Sequence, residues 1–191
     1  MRKIVFDIET SNTFFDVGKN DPALLDMSII CIWDSETDAY SSYLVHELPK
    51  LWPVIERADL LIGFNSDHFD IPVLNKYYPG DLLQIKSIDL LAEVRKSLGR
   101  RIGLGALAKA TLKVGKSGNG LEAISWWKTG QIEKLRKYCL DDVKITKDLY
   151  EYMVKNKCCY YEDGSALMKI SIDPSQWETL IPRALTQTLP F

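Results

Sequence analysis

Three short stretches of this sequence carry carboxylates at spacings that a fold could gather into one acidic site. They are Phe6-Asp7-Ile8-Glu9-Thr10, Asn65-Ser66-Asp67-His68-Phe69-Asp70 and Tyr138-Cys139-Leu140-Asp141-Asp142. Two acids separated by one residue project from the same face of a strand, and a tyrosine and an acid four apart share one face of a helix. Four carboxylates, Asp7, Glu9, Asp70 and Asp142, converging with no lysine or arginine among them would repel one another, so such a site makes physical sense with cations bound. Oxygen ligands of this kind suit Mg2+ or Mn2+. Two such ions, about 4 Å apart, clamp the attacking and leaving oxygens of an in-line phosphoryl displacement and lower the pKa of a bound water. The chemistry indicated is phosphodiester hydrolysis. Tyr138 is suited to hold the attacking water, because a neutral phenol both donates and accepts hydrogen bonds and is a poor free base near neutrality.

The three patterns differ in weight. An Asp-x-Glu pair is expected about 0.8 times by chance in a chain of this composition, and Asp34-Ser35-Glu36 is a second instance. A Tyr four residues before an Asp is nearly as common, about 0.75 times, and Tyr77 with Asp81 is a decoy of that kind. Asn, three residues, an aromatic and Asp is expected only about 0.04 times, so the middle pattern carries most of the case. The decoys fall in a polar turn and in a loop containing Pro79-Gly80, whereas the chosen patterns fall on regular elements.

Those elements follow from periodicity. Residues 3–8 alternate, with Ile4, Phe6 and Ile8 on one face and Val5, Asp7 and Glu9 on the other, which predicts a strand ending in two acids. A polar loop spans 11–26, and residues 28–33 and 39–45 predict two further strands in an antiparallel meander. A helix over 48–57, a short apolar strand over 59–63 and a helix over 69–77 place Asp70 just past a buried strand. A strand at 84–88 and helices over 90–98 and 104–112 come next, then a Gly-rich loop over 114–120. The strongest helical signal covers 131–155, where Leu135, Cys139, Val143, Thr146, Leu149 and Met153 recur at helical spacing and should face the core. Residues 157–161 and 167–172 predict a terminal hairpin.

In order, content and context the three patterns resemble the exonuclease motifs of the DEDD superfamily in its tyrosine-containing branch. They are most similar to the proofreading exonuclease domain of family B DNA polymerases and its free-standing relatives. The histidine branch carries His five residues before the last Asp, where this chain has Lys137; Tyr138 fills the tyrosine-branch position. The resemblance runs from about residue 1 to residue 155. It implies an α/β, RNase H-like fold, a mixed and largely five-stranded sheet flanked by helices. It also implies two divalent cations, Mg2+ or Mn2+, and release of nucleoside 5′-monophosphates from the 3′ end of single-stranded DNA or RNA, with DNA favoured. By position, Asp7 would bridge both metals, Glu9 and Asp142 would hold the nucleophile-side ion, Asp70 would hold or orient the second, and Tyr138 would position the water. Thr10, Asn65, Phe69 and Lys113 are expected on the substrate side. Residues 1–157 are expected to form the exonuclease domain and 158–191 a hairpin and tail packed on it or extending from it. A chain of this length has no room for a polymerase palm, so action apart from a polymerase in cis is expected.

With 191 residues and 46% apolar content the chain can bury a full core. Its formal net charge of −2 argues against coating nucleic acid by bulk electrostatics, so contacts must be local. No signal-peptide core and no membrane-length apolar run is present, and a soluble, cytoplasmic protein is expected. Cys31, Cys139, Cys158 and Cys159 lack C-x-x-C spacing and read as reduced thiols rather than a zinc site. Between Val94 and Gly118 lie Arg95, Lys96, Arg100, Arg101, Lys109, Lys113 and Lys116 with no acid among them. A solvated face and a phosphate-tracking groove are about equally supported there, with a slight tilt toward substrate. Of Trp126 and Trp127, at least one is expected in the core rather than stacked on bases. Gln187-Thr188-Leu189-Pro190-Phe191 loosely resembles the peptides by which replication or repair proteins dock, though a tail packed on its own domain or disordered fits better. The rival reading is a non-catalytic nucleic-acid-binding or adaptor module of the same fold.

Overall fold

The computed structural model of the chain describes residues 1–115 and 118–179. Its centre is a five-stranded mixed sheet built from β1 (Lys3–Thr10), β2 (Met27–Asp34), β3 (Ala39–Leu44), β4 (Leu60–Gly63) and β5 (Ser87–Asp89), in the order β3-β2-β1-β4-β5. β1 pairs with β2 and β2 with β3 antiparallel, as the meander predicts, while β4 lies parallel to β1 and β5 parallel to β4. The parallel half needs crossovers, and helices supply them. α2 (Leu48–Ile55) links β3 to β4, and α3 (Asp70–Asn75) links β4 to β5.

The alternation of β1 decides where chemistry can sit. Ile4, Phe6 and Ile8 enter one core with Ile30, Ile32 and Leu61, covered by Leu51 and Ile55 of α2 and Ile71 and Leu74 of α3. Val5, on the opposite face with Asp7 and Glu9, enters a second core. That core contains Ile29, Cys31 and Ile62 and is covered by α4 (Leu90–Leu98), α5 (Leu104–Leu112) and α7 (Ile132–Asn156). Covered on both faces, β2 buries all eight of its residues. The α7 stripe from Leu135 to Met153 is buried as its periodicity requires, and all four cysteines are free and buried.

Three local differences have physical causes. The stretch read as a loop over 11–26 contains a single helical turn, α1 (Phe14–Val17), closed by a capping box between Thr13 and Asp16. The strand expected at 84–88 starts later, because Asp81 caps a 3-10 turn at Leu82–Gln84. Asn119 and Glu122 form a capping box that starts α6 (Gly120–Lys128), a helix not separated from its loop at the sequence level. Gly120, expected to end that loop, is its first residue.

The chain leaves α7 through Lys157 in the left-handed region, φ 54°, into the antiparallel hairpin of β6 (Cys158–Asp163) and β7 (Ala166–Ser171). β6 lies on α5, where Thr111 Oγ1 accepts from the Tyr160 N–H at 2.9 Å. Cys159, Tyr161, Ile170 and Trp177 belong to the same core as α7. Trp177 stacks on Tyr150 with ring centroids 5.7 Å apart, and Glu178 accepts from the Tyr150 hydroxyl at 2.7 Å and pairs with Lys3 at 2.8 Å. The start of the chain is fastened too, by a guanidinium fork from Arg2 to both oxygens of Asp34 at 3.1 and 2.6 Å. The tail motif at 187–191 and Lys116 lie outside the described residues. Among the described residues, no helix is long and apolar enough to cross a membrane.

Candidate active site

Asp7 and Glu9 project from β1 toward α7, and Asp142 faces them from α7. One carboxylate oxygen of each lies within 4.8 Å of the others. Glu9 is 8% and Asp142 2% exposed, so their charges are held where water screens them poorly. The helix is tied to the strand at this level by the Cys139 thiol, which donates to the carbonyl oxygen of Asp7 at 3.4 Å. Tyr138, one helical turn before Asp142, lines the same cleft as the three acids. Burial, and then the carboxylates of Glu9, Asp142 and Asp7, push its phenol well above its ordinary range and keep it neutral. Trp126 of α6 meets the Tyr138 ring edge-on at 5.7 Å. Trp126 and Trp127 are both half-buried against the core, so Trp126 steadies the phenol from behind.

Asp70 opens α3 at the same cleft but stands outside the three-acid cluster. Its Oδ1 accepts from the backbone N–H of Ile8 at 3.1 Å, which fixes the carboxylate beside β1 between Asp7 and Glu9. Burial pushes its pKa up to about 7 against the pull of that N–H, and Asp89 and Asp142 push it the same way. Of the four acids expected to converge, the structure places three in mutual reach and the fourth on the adjoining wall.

The turn between β4 and Asp70 is tightly built. A Cβ on Gly63 would fall 2.4 Å from Ser66 Cβ, so only glycine lets the strand end turn this sharply. Asn65 sits in the left-handed region at φ 65°, a conformation asparagine tolerates better than most residues. Its N–H donates to Asp89 Oδ1 at 2.7 Å, and the Asp67 N–H to Asp89 Oδ2 at 3.3 Å. Asp89 also caps α4 by accepting from Leu91 and Ala92. Sequence reasoning missed Asp89. Its position before a helix signals a cap, but nothing in the sequence signals that it reaches across to residue 65. Arg101 was recognised only as one charge of a basic stretch, yet its guanidinium donates to Asn65 Oδ1 at 2.7 Å.

The acids form one wall of a cleft of about 600 Å3 whose other walls include Thr10, Phe14, Leu25, Phe64, Asn65, Phe69, Leu121 and Ile124. Phe14 and Phe69 meet edge-on at 6.2 Å. No lysine or arginine lines this cleft among the described residues. The structure thus brings Thr10, Asn65 and Phe69 to the acids. It does not bring Lys113 there: Lys113 ends α5 in the left-handed region and turns its ammonium onto the carbonyl of Ala110 at 2.9 Å, where helix-end carbonyls attract cations. Asp67 is exposed and accepts from the Ser87 hydroxyl. The decoy acids have structural roles, Asp34 in the Arg2 pair and Asp81 as a cap.

A carboxylate-only donor set with its oxygens this close, two of its three residues buried and no basic side chain in the cleft, fits a hard divalent cation. Two or more ionised carboxylates at such range hold together only when a cation compensates them or a proton is taken up.

A family model described as RNase_H superfamily matches residues 4–154. No curated protein matches the chain. Among solved structures, the family B DNA polymerase of the hyperthermophilic archaeon Pyrobaculum calidifontis is similar with a TM-score of 0.64 and 18% identity, over 81% of this chain and 24% of that one. RNase D of Trypanosoma brucei is similar with a TM-score of 0.59 and 17% identity, over 81% of this chain and 58% of that one. The chain therefore spans about a quarter of the first and somewhat more than half of the second.

Proposed function

The chain belongs to the RNase_H superfamily, and on that premise we propose that it is a nuclease, specifically a metal-dependent 3′–5′ exonuclease of the tyrosine-containing DEDD branch. The observation that carries the reading is the meeting of Asp7, Glu9 and Asp142 within 4.8 Å, with Tyr138 lining the same cleft. Asp7, Glu9 and Asp142 would hold a divalent ion, with Asp70 holding or orienting a second. When bound, such ions supply positive charge for the reacting phosphate and lower the pKa of an attacking water.

The chain's own residues do the rest. Tyr138, kept neutral by burial and by its acidic neighbours, orients the attacking water by hydrogen bonding and does not accept its proton. The seat of Asp70 on the Ile8 N–H would hold its carboxylate in place for the second ion. The apolar walls formed by Phe14, Phe64, Phe69 and Leu121 suit unstacked bases, which favours a single-stranded end over a duplex. The products would be nucleoside 5′-monophosphates. DNA is the favoured polymer because the motifs resemble proofreading domains.

A 5′-labelled single strand incubated with Mg2+ or Mn2+ tests the proposal. A ladder of shortened products is expected, lost on Asp7→Ala, with a circular single strand left intact. No ladder, or an Asp7→Ala variant that cuts as well as the parent, overturns it.

A further inference from the structure

Beyond Asn65, on the side away from the apolar walls, lies a second cleft of about 490 Å3 between α4 and the 64–69 turn, into which Arg95, Lys96, Arg101 and His68 all face. The two acids at its edge are already engaged. Asp89 accepts backbone N–H groups from Asn65, Asp67, Leu91 and Ala92, and Asp67 accepts from Ser87. Elsewhere part of the basic complement is compensated. Arg2, Lys3, Lys50, Lys76, Arg100, Lys109, Arg136 and Lys147 each form an ion pair. Among the described residues, Arg95, Lys96 and Arg101 form none, and all three are exposed. The basic run seen in the sequence thus divides: Arg100 and Lys109 fasten the hairpin through Asp163 and Glu162, while these three line one cleft.

A smaller cleft of about 290 Å3 connects this place to the acids, since its walls include Asp7 and Asp142 as well as Asn65 and Arg101. A polynucleotide brings a negative charge with every phosphate, and a wall of carboxylates repels the part of the strand that is not compensated by bound cations. The strand must leave the acids by a path of opposite sign. We propose that the cleft between α4 and the 64–69 turn is a backbone-phosphate subsite, in which Arg95, Lys96 and Arg101 hold the phosphates of the single strand as it leaves the acid cluster. The assignment rests on the exonuclease reading, and it adds the direction in which the substrate runs.

Binding separates the two claims. In an Asp7→Ala background, a fluorescent single strand about a dozen nucleotides long is titrated against the chain with and without the pair Arg95→Glu and Lys96→Glu. Lys50→Glu on α2, which carries half that change of charge, is the control for charge reversal on the other face of the sheet. Both target side chains are exposed but lie in the last turn of α4, where glutamates oppose the helix dipole, so a thermal melt confirms that the variant is folded at the titration temperature. The expected result is a loss of affinity of about tenfold or more at low salt, with the slope of log affinity against log salt shallower by about 1.4, or 0.7 for each lost phosphate contact. Lys50→Glu should change neither. In the cutting background, the same pair should raise KM on the long strand more than on a dinucleotide. An unchanged affinity and slope, or a loss matched by Lys50→Glu, overturns the subsite while leaving a cutting parent, and so the exonuclease reading, intact. A parent that binds through Arg95 and Lys96 but never cuts keeps the subsite and removes the exonuclease reading. A parent that does not bind the strand removes both.

Discussion

The backbone N–H of Asn65 donates to Asp89 Oδ1 across 2.7 Å, linking the turn that carries one motif to the strand end and helix start that follow it. One carboxylate accepts four N–H groups at that point and holds Asn65 in a left-handed backbone conformation. Because the Asn65 side chain reaches Arg101, Asp89 sets both the turn leading to Asp70 and the edge of the basic cleft.

Asp89→Asn should therefore cost more than an ordinary helix cap. An amide offers only one oxygen and turns its NH2 toward donors, leaving buried N–H groups unsatisfied. The expected loss is about 2–3 kcal/mol by urea denaturation. Activity measured well below the transition should also drop, because the Asn65 turn loosens. A variant as stable as the parent would show that the four bonds carry no net weight.

Gly63 gives a sharper geometric test. Alanine there sets its Cβ 2.4 Å from Ser66 Cβ and 2.6 Å from Ser66 Oγ, so Gly63→Ala should destabilise the chain by about 1–3 kcal/mol. Ser66→Gly removes the clashing atoms and should recover part of that loss. A double-mutant cycle should give a coupling of about 1 kcal/mol or more. Additive effects would mean the clash is relieved some other way.

The Arg2 and Asp34 pair predicts a pH signature. Burial raises the Asp34 pKa, but the Arg2 guanidinium and the Glu36 N–H outweigh it, so the folded value lies below the unfolded one. A carboxylate depressed on folding contributes stability above its unfolded pKa, about 3.9, and loses it as the pH falls through the folded value. Asp34→Asn should thus cost about 2 kcal/mol near neutrality, and the gap between parent and variant should narrow as the pH drops below about 4. Thermal melts at several pH values measure it; a gap independent of pH would contradict the pairing.

Much of this was legible in the sequence because it depends on local periodicity. The alternation of Ile4, Phe6 and Ile8 against Val5, Asp7 and Glu9 assigned each side chain its face, and the α7 stripe assigned Tyr138 and Asp142 theirs. The order of the three motifs was equally visible. Contacts between residues far apart in the chain were not. The reach of Asp89 to Asn65, of Arg101 to Asn65 and of Cys139 to the Asp7 carbonyl arises only when β5, the segment before α5 and α7 pack around the ends of β1 and β4. Lys113 shows the converse: its charge was visible, but its backbone ends a helix and aims the ammonium at Ala110. Proximity in a basic run says nothing about which cations share a cleft.

Tyr138→Phe addresses the chemistry most directly. The phenol is held neutral by burial and three carboxylates, so removing its oxygen takes away a hydrogen-bonding group without adding or removing charge. The ring would keep its contacts with Trp126 and with the close backbone of Gly118, where a Cβ would lie 3.2 Å from the ring. Stability should therefore change little, and Mn2+ binding by Asp7, Glu9 and Asp142 should remain measurable by calorimetry. The rate of single-turnover hydrolysis should fall by about 10²-fold, the scale of losing a group that orients the nucleophile. The pH profile of the remaining activity should keep its alkaline limb where the parent has it, since a phenol held this far above its ordinary range does not ionise over the working range. If the limb moves, Tyr138 exchanges a proton with the water; if the rate is unchanged, the water is oriented by another group and the tyrosine serves only the packing of α6 on α7.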